Sequence, residues 1–487
     1  TRARTGPRRM KFRAAYLAIL IFASALALGG FGFLVVYDPA GGLAENVPGM
    51  DGAPAAASSA VNAPVHIGEH FRSFGGVPSA IAGSWPRFRG ASFDNEYHGR
   101  IPVPPAGSDW HPAVRWTVSL GEGHAGAAVA NGRVYVLDYD ERRQADALRC
   151  FSLDSGAEIW RRWYTVALKR NHGYSRTVPA VSGRFVLTIG PACHVMCCDS
   201  LDGTLLWGVD LPRELGAEVP LWYTGQCPVI DGNTAVIAVG GDSLLVGLDL
   251  ATGRVRWRAP NPQHYKMSHS SVMIATIRGT RMYVYAAVGG IVGVSAEPGT
   301  AGRIQWETPA FDAKVIAPSP VCLPDGRVFV TAGYGAGSIM LKIEGNDGRF
   351  SARVLYRYGP ADGFACEHQT PVLWRGMLLG ILPKDAGPRR SELACWDPAG
   401  KWVWSSGQAN RFGLGPYLVA DGKLVILNED GVLTLAEAST EGFRPLATAR
   451  ILDGPDAWAP MALADGYLLA RDTRRMTCLD LSGGVNR

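Results

Sequence analysis

Beyond residue 85 the chain repeats itself, and no other feature restricts its fold as strongly. FSLDSGAEIW (151–160), CDSLDGTLLW (198–207) and LDLATGRVRW (248–257) share an Asp, a Gly-containing turn and a closing Trp. Looser copies close at Trp306 and Trp404, with Tyr356 in the Trp place between them. A seventh ends near Ala447 without its Trp, and an eighth stops just after its turn, at Cys478–Gly483. Counted from Trp116, the closing positions fall 43 to 50 residues apart. Each unit also has an earlier half, as in AAVANGRVYVLD (127–138) and YLVADGKLVILN (417–428). Asn-Gly or Asp-Gly between β-branched runs marks a tight hairpin, because these residues accept the positive φ it needs. Four short strands per unit of this length are the arithmetic of a propeller blade. The chain is therefore expected to be all-β, an eight-bladed β-propeller over 85–487. The C-terminal unit would supply the inner strands of the last blade and the segment 114–120 its outer strand.

The N-terminal part reads differently. Arg2, Arg4, Arg8, Arg9, Lys11 and Arg13 make 1–13 a basic tail without acids, so of the net charge of +5 the rest of the chain carries −1. A body so nearly neutral has no basic excess to displace counterions from phosphates, which excludes nucleic acid as a partner. Residues 14–37 form an uncharged run of 24, long enough to span a bilayer as a helix. The charge bias would keep the tail in the cytoplasm and place the propeller in the periplasm, anchored in the inner membrane. A cleaved signal peptide is the competing reading, but its apolar core is normally about 7 to 15 residues. Residues 38–84, rich in Ala, Gly, Pro and Ser, read as a tether, with a partner-docking segment around His70–Phe74 as the alternative.

The pattern L-D-x-x-T-G-x-x-x-W, best kept at Leu248, Asp249, Thr252, Gly253 and Trp257, resembles the tryptophan-docking motif of pyrroloquinoline-quinone (PQQ)-like propellers. That superfamily includes the quinoprotein alcohol dehydrogenases and BamB-like assembly factors. The resemblance runs over about 85–482 and takes in the lead-in Trp85, Pro86, Arg87, Phe88, Arg89 and Gly90. It implies docking roles between blades for Trp160, Trp207, Trp257, Trp306 and Trp404, whose rings offer large apolar plates. It leaves function open, since one blade motif serves enzymes and scaffolds alike.

Chemistry is hard to find in the residues. The calcium-holding Glu, Asn and Asp and the catalytic Asp of the dehydrogenases have no matching positions here, and no nucleophile elbow, Walker loop or His-Glu-x-x-His occurs. Nine cysteines cannot all pair within one chain. Cys150, Cys197, Cys395 and Cys478 occupy a small-residue position of the repeat, and the adjacent Cys197 and Cys198 sit inside a strand, where successive side chains face opposite ways. No catalytic residue, metal site or cofactor is predicted; a quinone with calcium is carried as the alternative.

Loops leading into each innermost strand converge on one mouth of a propeller's channel. Those loops carry His124, Arg176, Tyr223, Gln226, His269, Lys314, Glu367, His368 and Trp458, with His172, Trp222 and Gln369 beside them. This mouth is expected to bind an anionic or polar ligand or the tip of a partner protein. The chain is thus read as a membrane-tethered, extracytoplasmic scaffold that binds protein in the cell envelope without catalysis. A quinone-dependent dehydrogenase and a ligand sensor working through the mouth are the alternatives.

Overall fold

Eight antiparallel blades of four repeat strands each follow one another along the chain, as the repeat requires. The computed structural model describes residues 17–18, 20–29, 64–105, 109–346 and 349–483. The chain divides into two units, 1–61 and 62–487, and every sheet lies in the second. From blade 1 to blade 8 the inner strands are Ala127–Ala130, Ala180–Ser182, Val229–Asp231, Met273–Ile277, Val321–Cys322, Val372–Trp374, Tyr417–Ala420 and Ala462–Ala464. Several neighbouring inner strands pack directly against each other, which places them about a common axis. Asn131 and Gly132 both have positive φ, of 52° and 68°, so the two-residue loop after the first inner strand is the tight hairpin turn its sequence announces.

Ring closure joins distant parts of the chain. Ala113–Ser119 pairs antiparallel with Arg475–Asp480, setting Trp116 opposite Cys478, and becomes the outer strand of blade 8.

The repeated Trp acts on the blade that follows it. Trp207 of blade 2 lies against the turn of Gly253 in blade 3, where a Cβ would come within 2.7 Å of the ring, and its indole N–H donates to the Leu250 carbonyl at 2.9 Å. Trp116 stands likewise against Gly156, Trp160 against Gly203, and Trp257 near Gly302. Trp404 donates to the Ser439 carbonyl at 3.1 Å, and Trp306 is buried in a cluster shared with blade 5. Within its own blade each Trp faces a small residue across the strand pair: Cys150, Cys197, Gly247, Gly293 or Cys395. This explains why thiols and glycines alternate there. All nine cysteines are free, and Cys197 and Cys198 fall into two different apolar clusters on opposite sides of their strand.

One N-terminal expectation, the tether, needs correction. The segment drawn as a tether over 38–84 is part of the propeller from residue 64 onward: His70–Ser73 pairs antiparallel with Glu158–Thr165 as a fifth strand on the outer edge of blade 1. Arg162 reaches back to it, donating to the Gly68 carbonyl, and lies over the Phe71 ring. The backbone pairing, which no composition reveals, offsets the segment's ordering entropy. Within the apolar run 14–37, residues 17–18 and 20–29 are helical, and among the described residues no helix is long and apolar enough to cross a membrane. The basic tail 1–13, the remainder of the run and residues 38–63 lie outside the described residues.

Residues 85–97 close the channel. Trp85 exchanges backbone hydrogen bonds with Val129 of blade 1, the Pro86 carbonyl accepts from Val181 of blade 2, and Arg87 donates to the Ile230 carbonyl of blade 3. Arg89, buried, donates to the Thr370 and Pro371 carbonyls of blade 6 at 2.9 and 3.1 Å, and Glu96–Tyr97 pairs in parallel with blade 7. The chain just before this stretch and just after it bonds hairpin turns, Ser79 to Gly132 and Ile101 to Asp421. The seal therefore lies at the face that carries the hairpins between first and second strands.

Candidate functional site

In a four-stranded antiparallel blade the chain enters the inner strand from one face and returns to that face between its second and third strands. Both sets of loops therefore surround the same mouth. They enclose a cavity of about 380 Å³ on the axis, open at this face. Phe88, from the sealing segment, contributes to its lining. The channel is in effect a blind pocket.

Six of the nine residues expected at the mouth line this cavity: His124, Arg176, His269, Glu367, His368 and Trp458, and so do His172, Trp222 and Gln369. Three do not. Gln226 is fully buried and exchanges two hydrogen bonds with the backbone of Ala238, at 2.7 and 2.9 Å, bracing its own blade. Tyr223 turns aside to donate to the Lys169 carbonyl at 2.7 Å. Lys314 is exposed outside the cavity, whose wall is formed instead by Val315 and Ala317. Tyr334 and Lys384 were missed because they stand on connections between second and third strands, a loop set the sequence reading did not consider. The signal that could have found them is the blade's own up-and-down connectivity.

Aromatic rings and imidazoles interleave along the wall. His124 stacks on Trp458 with centroids 5.0 Å apart, and His368 meets the same indole edge-on at 5.3 Å. Trp222 lies 6.3 Å from His269 and 5.6 Å from Tyr334, whose hydroxyl is 3.4 Å from His368 Nε2. Gln369 and Trp458 are tied together by a bond from the Gln369 amide to the Trp458 carbonyl at 2.9 Å. The three imidazoles are uncharged at neutral pH. Burial, with Arg176 nearby, lowers His124 and His269 to about 3; burial, Lys384 and Arg176 lower His368 to about 4.

Arg176 is held by its own loop, donating to the carbonyls of Tyr174 at 2.9 Å, Asn171 at 2.7 Å and His172 at 3.0 Å. Burial lowers it to about 10, so it remains a cation. Glu367 is raised above the usual carboxylate range by burial, and its Oε2 accepts from the Lys384 backbone N–H at 3.0 Å.

A quinone held by calcium does not suit these donors. Calcium takes about six to eight oxygen ligands, largely carboxylate and carbonyl. Among the described residues Glu367 is the one carboxylate lining the cavity, and one of its oxygens is already engaged. Among the described residues no group of three His, Cys, Asp or Glu side chains is placed to share a metal ion. Nearby Asp138, Asp140 and Glu141 are paired with Arg149, Arg143 and Arg474.

Fold and repeat together define the class: an eight-bladed propeller whose blades are locked by docked tryptophans. More particularly, its repeat resembles that of the PQQ-like β-propellers. The sequence model of the family described as outer membrane protein assembly factor BamB matches residues 144–354. BamB from Moraxella catarrhalis superposes with a TM-score of 0.51 at 12% identity, covering 76% of this chain and 100% of that one. The quinohemoprotein alcohol dehydrogenase of Comamonas testosteroni gives 0.55 at 13% identity, over 83% of this chain and 81% of that one. A quinohemoprotein alcohol dehydrogenase from Pseudomonas putida HK5 gives 0.54 at 12%, over 84% and 83%. No curated protein matches the sequence. At these identities the likenesses show the fold, which scaffold and enzyme share.

Proposed function

We propose that this chain is a binding propeller of the cell envelope, a scaffold that holds a protein partner at the axial pocket without catalysing a reaction. One observation carries the reading: the axial cavity is sealed at one face by 85–97 and walled with aromatic rings, uncharged imidazoles, the cations Arg176 and Lys384 and the carboxylate of Glu367. Such a lining favours desolvated contact over chemistry. The partial match to the BamB family supports a scaffold. The dehydrogenase neighbours are as close in fold, but the donor set speaks against their cofactor. The basic residues of 1–13 and the apolar run 14–37 support an inner-membrane anchor with the propeller in the periplasm.

A photo-crosslinking amino acid placed at Tyr334, on the rim, and at Val403, on an outer strand, tests the reading in intact cells. Discrete protein adducts are expected from position 334 and none from 403. Equal adducts from both positions, or none from 334, would overturn it. Dye reduction by the purified chain supplied with calcium and quinone would decide for the dehydrogenase.

A further inference from the structure

Arg176 brings to the pocket a charge that no carboxylate among the described residues pairs with. Arg176 commits three of its five N–H groups to carbonyls of its own loop, which fixes the guanidinium in place and leaves two donors uncommitted. No carboxylate pairs with it among the described residues: the polar groups that act on it are the phenols of Tyr223 and Tyr334. Arg176 is half-buried, and the two fully buried arginines differ from it. Arg471 donates to the carbonyls of Ala125, Leu137 and Gly121 and lies near Asp138 and Asp472, while Arg89 is wrapped in four carbonyls with Asp94 and Glu96 close by. Those two are braces. Arg176 faces a cavity, and its charge reaches His124, His269 and His368. The second cation of the wall, Lys384, has Glu429 at 3.8 Å and the Trp458 ring at 5.6 Å. Trp222 adds a buried indole N–H without an acceptor. A cation brought out of water without a partner is costly, and an incoming anion recovers that cost.

The surroundings indicate what carries the anion. Val219 and Leu221, on the loop that presents Trp222, are each 41% exposed, and Tyr334 is 54% exposed. This apolar rim extends beyond the cavity, where a small ion lodged at Arg176 would leave it uncovered. Resting on the reading of the pocket as a docking site, we infer that the partner inserts an acidic side chain, flanked by apolar residues, whose carboxylate meets Arg176 while its neighbours cover the rim.

The test uses the intact chain and the fluorescence of Trp222 and Trp458. Acetyl-Leu-Glu-Phe-amide is titrated against its isosteric Gln counterpart, with acetate and inorganic phosphate as separate probes. The Glu peptide is expected to bind at least tenfold more tightly than the Gln peptide, with the preference falling below twofold in Arg176→Gln and persisting in Lys314→Gln. The wild-type comparison alone decides should the Arg176 variant fail to fold. Equal binding of both peptides would overturn the anion anchor and leave the docking reading standing. Acetate or phosphate binding as tightly as the Glu peptide would overturn the protein partner in favour of a small anion. Binding of neither peptide would overturn this inference, and crosslinking at position 334 would then show separately whether the docking reading survives.

Discussion

Asp146 shows how far one residue's environment can depart from what its letter suggests. It is buried in the third strand of blade 1, where the Tyr164 hydroxyl donates to it at 2.7 Å, and burial raises it to about 7. An unfolded Asp releases its proton near pH 4, so between about pH 4 and 7 folding retains a proton and stability falls as pH rises. Asn keeps the acceptor for Tyr164 and cannot ionise. Asp146→Asn should therefore be more stable than wild type at pH 8, by on the order of 4 kcal/mol, and lose that advantage by pH 4; urea melts at the two pH values check this. The pocket histidines have the opposite sign. His124, His269 and His368 hold folded values of about 3 to 4, below the unfolded value of about 6.5. Their contribution is present above the unfolded value and is lost as pH falls through the window down to the folded ones. Replacing His269 and His368 together by Asn should flatten the acid side of the stability profile, and an unchanged acid midpoint would contradict the uncharged, half-buried imidazoles described above.

At the scale of the blade, the docking plate and the turn beneath it form one unit. Gly253 has φ of 71° and stands under the Trp207 ring, so a methyl group there is both conformationally strained and in collision. Gly253→Ala should cost about 2 kcal/mol and Trp207→Ala about 3 to 5 kcal/mol. Because truncating the ring removes the collision, the double variant should be less destabilised than the sum of the two. Additive losses in a denaturant double-mutant cycle would mean that the ring and the turn do not act together. The same geometry accounts for the cysteines: Cys197 lies opposite Trp207, and a larger side chain would force the plate off its turn.

At the scale of the whole molecule, two long-range closures determine what the ring can do. One is the outer strand of blade 8, drawn from Ala113–Ser119; the other is the seal 85–97, which turns a channel into a pocket. Arg89 ties that seal to blade 6 and braces its own loop through four carbonyl contacts. Arg89→Met should destabilise the fold by about 3 kcal/mol, since buried carbonyls are left without donors. It should also speed amide exchange at Trp85 and Val181, whose N–H groups bond across this seam, while amides of the outer strands stay protected. Exchange unchanged at these two positions would show that the seal is held elsewhere.

The repeat was readable because blade architecture depends on local chemistry. Paired glycine turns, β-branched runs and a closing position every 43 to 50 residues, most often Trp, dictate strand, hairpin and docking plate, and a whole number of units dictates closure. Six of the nine mouth residues followed from the same logic, since connectivity alone places the loops before inner strands on one face. Direction within a loop did not follow: Gln226 and Tyr223 turn to backbone carbonyls, and Tyr334 and Lys384 arrive from loops of a different kind. Sequence by itself determined the number and form of the blades, because those rest on contacts between residues near in the chain. Only the tertiary structure decided that 70–73 is a strand, that 85–97 is a floor and that Arg176 has no carboxylate partner among the described residues. Each of those depends on which hydrogen-bond partners and charges the folded ring brings within reach from distant blades.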